Sequence, residues 1–346
     1  MEALGCLVRG KLTGRGATTL DDGPRYSIIV VNFNGGEFII KCLESVFEHT
    51  SDFELVLVDN NSTDQSDLHA IRQFPEITLL KNDRNVGFAA ANNLGIRRSR
   101  GRLIVLLNPD TEVTRYWLER LETCGFPPGI GIVGPKLIRV DGRTIDSTGL
   151  IFDFKTGLSY DRGSGEIDVG QFEAIEAVPC ISFAAAVIKR EVIDAIGVLD
   201  EKMILYFDDI DYCIRARIAG WKVVYCPNSI IFHARGGVTP NSSGRVQRQA
   251  VAYRLRIMLK CYNAQNILKY GLSRIAHDIL SALAGLKNND FEYFRGYLRS
   301  PFWNILNIPI AERRVIQGSR KIPDNLLFSP NDGPEKSALH PERTPT

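Results

Sequence analysis

Residues 27–58 read SIIVVNFNGGEFIIKCLESVFEHTSDFELVLV. The two ends, 27–31 (SIIVV) and 54–58 (ELVLV), are β-branched and leucine-rich runs without polar alternation, as expected of strands buried on both faces. Between them Phe38, Ile39, Cys42, Leu43, Val46 and Phe47 recur at helical spacing over 37–49. The unit then repeats. The spacing predicts a helix over 63–74, a strand at 77–80, a helix over 88–99 and a fourth buried strand at 103–107 (LIVLL). This alternation predicts an α/β fold, Rossmann-like, with a mainly parallel central sheet and helices on both faces. The linkers place Asn, Asp and Gly at the carboxyl ends of the strands, the edge where open α/β sheets bind ligands.

Beyond residue 123 the pattern loosens. A strand is expected over 178–189, a helix over 208–219, and two short strands at 222–225 and 229–232. From 245 to 321 the chain reads as helical and basic, and 329–346 as a Pro- and charge-rich disordered tail. The 346 residues are 44% hydrophobic and 24% charged, which excludes a mainly disordered chain, a collagen-like one and a disulfide miniature. Lys plus Arg number 42 and Asp plus Glu 40, so net charge alone calls for no polyanion partner, and nucleic acid is not expected. Seven scattered cysteines without a CxxC pair read as reduced thiols, with neither a disulfide framework nor a zinc site. No apolar run approaches the ~18 residues of a membrane span, and the first 24 residues lack the apolar core of a secretory signal.

Residues 129–134 (GIGIVG) match the dinucleotide fingerprint by letter only. Pro127, Pro128 and Pro135 leave no helix in the required register, so a turn and short strand are expected. Asp59, ending a buried strand in VDNNSTD (58–64), is placed to accept hydrogen bonds from a base or ribose; it or Ser62 could equally cap the next helix. Asp110 follows LIVLL within Asn108-Pro109-Asp110 and suits an oxygen-ligand cation such as Mg²⁺ or Mn²⁺, the alternative being a turn or helix cap. YFDDIDY (206–212) holds three carboxylates in four positions; on a helix Asp208 and Asp211 share one face and Asp209 turns away. His233, after the apolar run 229–232, is by itself a satisfied structural histidine.

Taken in order, VNFN (31–34), VDNNSTD (58–64), NDRNVGFAAANNLGI (82–96), LLNPDTEV (106–113), YFDDIDYCIRARIAGW (206–221) and IIFHARGG (230–237) resemble the family 2 glycosyltransferases of GT-A fold, in particular the bacterial rhamnosyltransferase-like branch. The resemblance implies that Asn32, Phe33 and Asp59, with Asn34 beside them, hold the nucleotide base and ribose. It implies that Arg84, Gly87 and Asn92 line the nucleotide-sugar pocket. Asp110 matches the last acid of the metal-binding DxD motif, whose first position is Asn108 here. His233 matches a histidine that completes the metal or diphosphate site. Asp209 matches the catalytic base, with Asp208 as its companion acid. The stretch 180–186 (CISFAAA) departs from the family's acceptor-side pattern.

These matches divide the chain into a flexible leader (1–24), a GT-A nucleotide-sugar-dependent catalytic domain (25–240), a basic amphipathic helical region (241–325) and a disordered tail (326–346). The implied enzyme is inverting and metal-dependent, moving a sugar, rhamnose from dTDP-rhamnose, to a lipid-linked or polysaccharide acceptor in cell-surface glycan synthesis. The alternative is a nucleotide-sugar-binding assembly protein of the same fold without turnover. Between 245 and 321 fourteen basic residues face four acids. With interleaved aromatics this reads as helices lying on an anionic membrane surface, or equally as a homo-oligomer face. The expected location is cytoplasmic, peripheral on the inner face of the membrane.

Overall fold

The computed structural model describes residues 23–124, 127–236 and 244–327. The expected leader, apart from residues 23 and 24, lies outside them. The expected tail begins inside a short helix at residues 326 and 327, and its remainder also lies outside.

The chain opens with β1 (Tyr26–Asn32), α1 (Gly36–His49), β2 (Phe53–Asp59), α2 (Ser66–Gln73), β3 (Thr78–Lys81), α3 (Phe88–Arg98) and β4 (Leu103–Leu107). There follow β5 (Thr111–Val113), α4 (Trp117–Thr123), β6 (Ile130–Arg139), β7 (Ile145–Ser147), β8 (Leu150–Asp153), β9 (Leu158–Asp161), β10 (Glu176–Ala177), β11 (Ala185–Lys189), α5 (Arg190–Ile196), α6 (Asp208–Ile218) and β12 (Lys222–His233). The C-terminal helices are α7 (Gly244–Cys261), α8 (Ala264–Asn266) with a π-helical turn (Ile267–Gly271), α9 (Leu272–Lys287), α10 (Phe291–Leu306), α11 (Ile310–Gly318) and α12 (Asp324–Leu327).

The main sheet runs β10-β12-β6-β11-β4-β1-β2-β3, with β5 on β12 and β7 on β6. β1, β2, β3 and β4 pair in parallel, as do β6 and β12, while β11 runs antiparallel between β4 and β6. β8 and β9 form a separate hairpin. The apolar runs behave as their composition dictates. Ile29, Val56, Val58, Ile104 and Leu106 point into one core, and Ile28, Val30, Leu55, Leu57, Val105 and Leu107 into the other. Both faces of the central strands are therefore dry.

Four expectations need correction. The run 178–189 is not one strand, since only its last five residues join the sheet. Val178, Cys180, Ile181 and Phe183 are buried as an irregular crossing whose backbone bonds singly to Leu150, Val223 and Asn108. The two short strands after α6 are one, β12, with a register shift between Cys226 and Ile230. The glycine decoy is a turn leading into a ten-residue strand, β6. Finally, Cys124 and Cys226 are joined in a disulfide, their Cα atoms 5.8 Å apart across 102 residues of sequence, whereas Cys42, Cys180, Cys213 and Cys261 are free and buried. Packing of α4 against β12 creates this pair, and no spacing rule could show it.

The basic C-terminal helices are not a uniformly charged surface. Arg256, Lys260 and Arg274 are buried. Arg256 and Lys260 pair with Asp200, Lys260 also reaches Asp211 at 2.5 Å, and Arg274 pairs with Asp278. Arg313 donates to the Leu259 and Tyr262 carbonyls, and Arg320 to the Cys261 carbonyl and Asp324. Tyr253, Ile257, Met258 and Tyr262 of α7 belong to the same hydrophobic cluster as Ile29 and Leu106, so these helices share the sheet's core. Among the described residues no helix is long and apolar enough to cross a membrane.

Candidate active site

The parallel register sets Asn32 opposite Asp59 at the ends of β1 and β2. Asn32 is fully buried, and its amide donates to Asp59 Oδ1 (3.1 Å), Ser62 Oγ (3.0 Å) and Ser66 Oγ (2.8 Å). Its own oxygen accepts from Gly35 N–H. Asn32 thus orients Asp59, whose second oxygen accepts from Ser62 N–H at 3.1 Å. Asp59 braces the loop after β2; it does not cap α2, where Asp64 accepts from Ser66 N–H. Asn34, in a left-handed conformation, accepts from Thr63 N–H at 2.7 Å and ties the two loops together, with Phe33 exposed beside it.

Asn60, next in sequence, organises the following segment. Its oxygen accepts from Asn82 Nδ2 and Val86 N–H, and its amide donates to Asn85 Oδ1. Arg84 stands exposed on this loop. Gly87 has φ +89°, and a Cβ there would lie 2.6 Å from the Ile204 carbonyl oxygen, which Phe88 N–H needs as its acceptor. Asn92 is buried and donates to the Phe88 carbonyl, and Asn93 clamps the Leu199 backbone at both its N–H and its C=O. The segment 82–93 is thereby fastened to the segment that leads into the acidic helix α6.

After β4, Asn108 bonds through its backbone, N–H to the Ala184 carbonyl and C=O from Thr111 Oγ1. Pairing of β5 with β12 sets His233 opposite Thr111 and brings its Nε2 to 3.4 Å from Asp110 Oδ1. Behind it, Nδ1 contacts Asp146 Oδ2 at 2.7 Å. Arg235 joins Asp146 Oδ1 (2.7 Å) to Asp161 Oδ2 (2.9 Å). Burial works to lower the His233 pKa, but Asp110 and Asp146 outweigh it and raise it to about 9.

One carboxylate oxygen and one imidazole nitrogen, the latter once a cation displaces the ring's proton, converge at a distance that fits part of the coordination sphere of Mg²⁺ or Mn²⁺. A carboxylate behind the ring fixes which nitrogen faces forward. No group of three or more His, Cys, Asp or Glu that could hold a metal ion occurs among the described residues. Asp110→Ala is expected to abolish the metal dependence of nucleoside diphosphate binding, and His233→Ala to weaken it less, because only the carboxylate contributes charge. Calorimetric titration with and without Mn²⁺ checks this; metal dependence unchanged in both variants removes the site.

At the start of α6 the three acids separate. Asp211 is fully buried, with Arg215 Nε at 2.9 Å and Lys260 at 2.5 Å. Asp208 is also buried, and burial, with Asp211 adding repulsion, pushes its pKa up to about 7. Asp209 is partly exposed and turns the other way. Desolvation, then Asp208, then Asp161 drive its pKa well above the usual carboxylate range, while the Ile210 and Phe183 N–H groups oppose this. A carboxylate so tuned holds a proton more tightly than an exposed one, as a general base requires. Asp146 and Asp161 escape sequence reasoning, each being a single polar letter in a loosely patterned stretch, and Asn93 sits inside a quoted motif that gives it no role. Arg235 lies inside a quoted motif, but only the fold gives it a role.

The sheet order, with one central antiparallel strand and acidic residues gathered at the carboxyl edge, is that of a GT-A-like fold. Residues 27–123 match the family model described as Glycosyl transferase family 2. Protein y4gI of Sinorhizobium fredii is 31% identical over 66% of this chain and 27% of its own length. The O-antigen biosynthesis protein RfbC of Myxococcus xanthus is 27% identical over 61% and 17%. An N-acetylglucosaminyl-diphospho-decaprenol L-rhamnosyltransferase of Mycobacterium tuberculosis is 24% identical over 63% and 77%. The chain thus spans about a quarter or less of the first two. In fold, it is similar to GalNAc-T7 solved with UDP, GalNAc and Mn²⁺ (TM-score 0.56, 16% identity, 83% of this chain and 58% of that one). It is also similar to the mannosyltransferase PcManGT of Pyrobaculum calidifontis solved with GDP-Man and Mn²⁺ (0.50, 15%, 86% of each).

Proposed function

We propose that this protein transfers a sugar from a nucleotide sugar to an acceptor hydroxyl with inversion, in cell-surface glycan synthesis. The observation that carries the reading is the contact chain Asp110–His233–Asp146–Arg235–Asp161, which ends where Asp161 adds to the raised pKa of Asp209. The leaving-group site and the base so proposed lie at the two ends of one chain of contacts.

Asp59 and its Asn32 brace receive the nucleoside, with Phe33, Asn34, Arg84, Gly87, Asn92 and Asn108 framing the donor. Asp110 and His233 hold the metal on the diphosphate. Such a cation, when bound, stabilises the negative charge that grows on the departing nucleoside diphosphate. Asp209 takes the proton of the acceptor hydroxyl as its oxygen attacks the anomeric carbon from the face opposite the leaving group. Asp208 stands beside it at the start of α6 as the companion acid.

The donor proposed is dTDP-rhamnose and the acceptor a lipid-linked or polysaccharide intermediate at the inner face of the cytoplasmic membrane; the rhamnosyltransferase relative supports this choice. The test is a panel of nucleotide sugars with Mn²⁺ or Mg²⁺, following nucleoside diphosphate release and the anomeric configuration of the product by NMR. Release restricted to dTDP-rhamnose, with inverted product and loss on chelation, is expected. Selective binding without release from any donor would instead identify the assembly-protein alternative.

A further inference from the structure

The hairpin of α9 and α10 is polar inside and apolar outside. On α9 the buried positions are Arg274, Asp278, Ala282 and Gly285, and on α10 Ser300 and Asn304. Asp278 accepts from Arg274 and from Ser300 within this seam, and Asn304 donates to the Ala252 carbonyl. The helices approach so closely that a Cβ on Gly285 would lie 2.8 Å from Phe294 N. Exposed apolar residues are Ile279, Leu283 and Leu286 on α9, about a quarter turn from its buried positions, and Phe302, Ile305 and Leu306 on the far side of α10, the last three 60%, 70% and 84% exposed. The spacing (i, i+4, i+7 and i, i+3, i+4) makes each set a stripe. Exposed apolar stripes of this kind mark an interaction surface.

We propose that this face seats on an anionic lipid bilayer, with the apolar stripes entering the acyl boundary and Lys287, Arg295 and Arg299 meeting lipid phosphates. Charge selects the occupant. Lys287 follows Leu283 by four residues, and Arg295 and Arg299 precede Phe302 by seven and three, so the cations lie along the apolar stripes. All three are exposed. Of the acids of the two helices and their junction only Glu292 shares this face, three residues before Arg295. Asp278 is buried, and Asp290 and Glu292 are confined to the start of α10, where Asp290 caps the helix by accepting from Tyr293 N–H. A two-fold contact with a second copy would press this cationic stripe against itself. Anionic headgroups above an apolar layer match it in both respects.

The surface does not depend on which sugar is transferred. The test sediments the full-length protein with vesicles of phosphatidylcholine alone and with added phosphatidylglycerol. Binding to the anionic vesicles, reversed as salt rises, is expected. Phe302→Glu with Ile305→Glu is expected to weaken it by about tenfold or more, and Arg295→Glu with Arg299→Glu to remove the preference for anionic lipid. All four positions lie on the outer surface, and unchanged melting confirms that each variant folds. Donor hydrolysis free of vesicles is expected to be unaffected, so failure here and failure of the functional reading are separate results. A protein that ignores anionic vesicles at low salt overturns the proposal. So does a dimer in solution that Phe302→Glu with Ile305→Glu dissociates without any effect on lipid binding.

Discussion

Asp209→Asn is expected to bind donor as the parent does and to transfer sugar about 10²–10⁴-fold more slowly, the usual contribution of a general base. The amide preserves the shape and the contact with Ile210 N–H but cannot take the acceptor's proton. Turnover with saturating acceptor, set beside donor affinity by calorimetry, separates the two effects. In the parent, burial and the neighbouring carboxylates raise the Asp209 pKa, so the rate should climb with pH above the ordinary carboxylate range as the base ionises. That rising limb should vanish in the variant. An Asn variant with near-parental turnover would move the assignment to Asp208. Asp211 is no longer a candidate, since Arg215 and Lys260 take its two oxygens.

Asp200→Ala is expected to cost about 3–5 kcal/mol of stability, the usual result of deleting one partner of a buried ion pair. Arg256 and Lys260 are each 1% exposed, and both converge on this carboxylate at 2.7 and 2.5 Å. Without it Lys260 keeps only Asp211, and Arg256 keeps Glu312 and the Asn307 carbonyl. Burial works to raise the Asp200 pKa, but Lys260 and Arg256 override it and hold the carboxyl below its usual range. The native state therefore favours the ionised form. The stabilisation is in force above the ordinary carboxylate pKa and is lost as pH falls through the depressed one. Denaturant melts should show a large gap between variant and parent at pH 7 that narrows in acid. A gap under about 1 kcal/mol at pH 7 would mean that this network does not fasten α7 to the sheet domain.

Much of the fold was legible because burial on both faces leaves a local trace. A strand such as 103–107 must be apolar at every position, and a helix such as 37–49 must repeat its apolar residues every three or four. Asp59, Asp110 and Asp209 were legible for a related reason: each follows directly on a strand or opens a helix, so the local pattern fixes its place at the sheet edge. The irregular crossing 178–184 was not, since a buried apolar segment reads alike whether its backbone joins a ladder or bonds to scattered partners.

The sequence by itself determined the α/β alternation, the edge at which the polar residues gather, and the identity of the acids there. Only the tertiary structure decided their neighbours: Asp146 behind His233, Arg235 between Asp146 and Asp161, Cys226 beside Cys124, Lys260 between Asp200 and Asp211. It also turned much of the basic C-terminal stretch inward and left the leucines of α9 and α10 outside, reversing the surface that charge counting suggests. Each of these contacts joins residues tens to more than a hundred positions apart. A charge or thiol at such a distance imposes no periodicity on its surroundings, so its partner is chosen by packing alone.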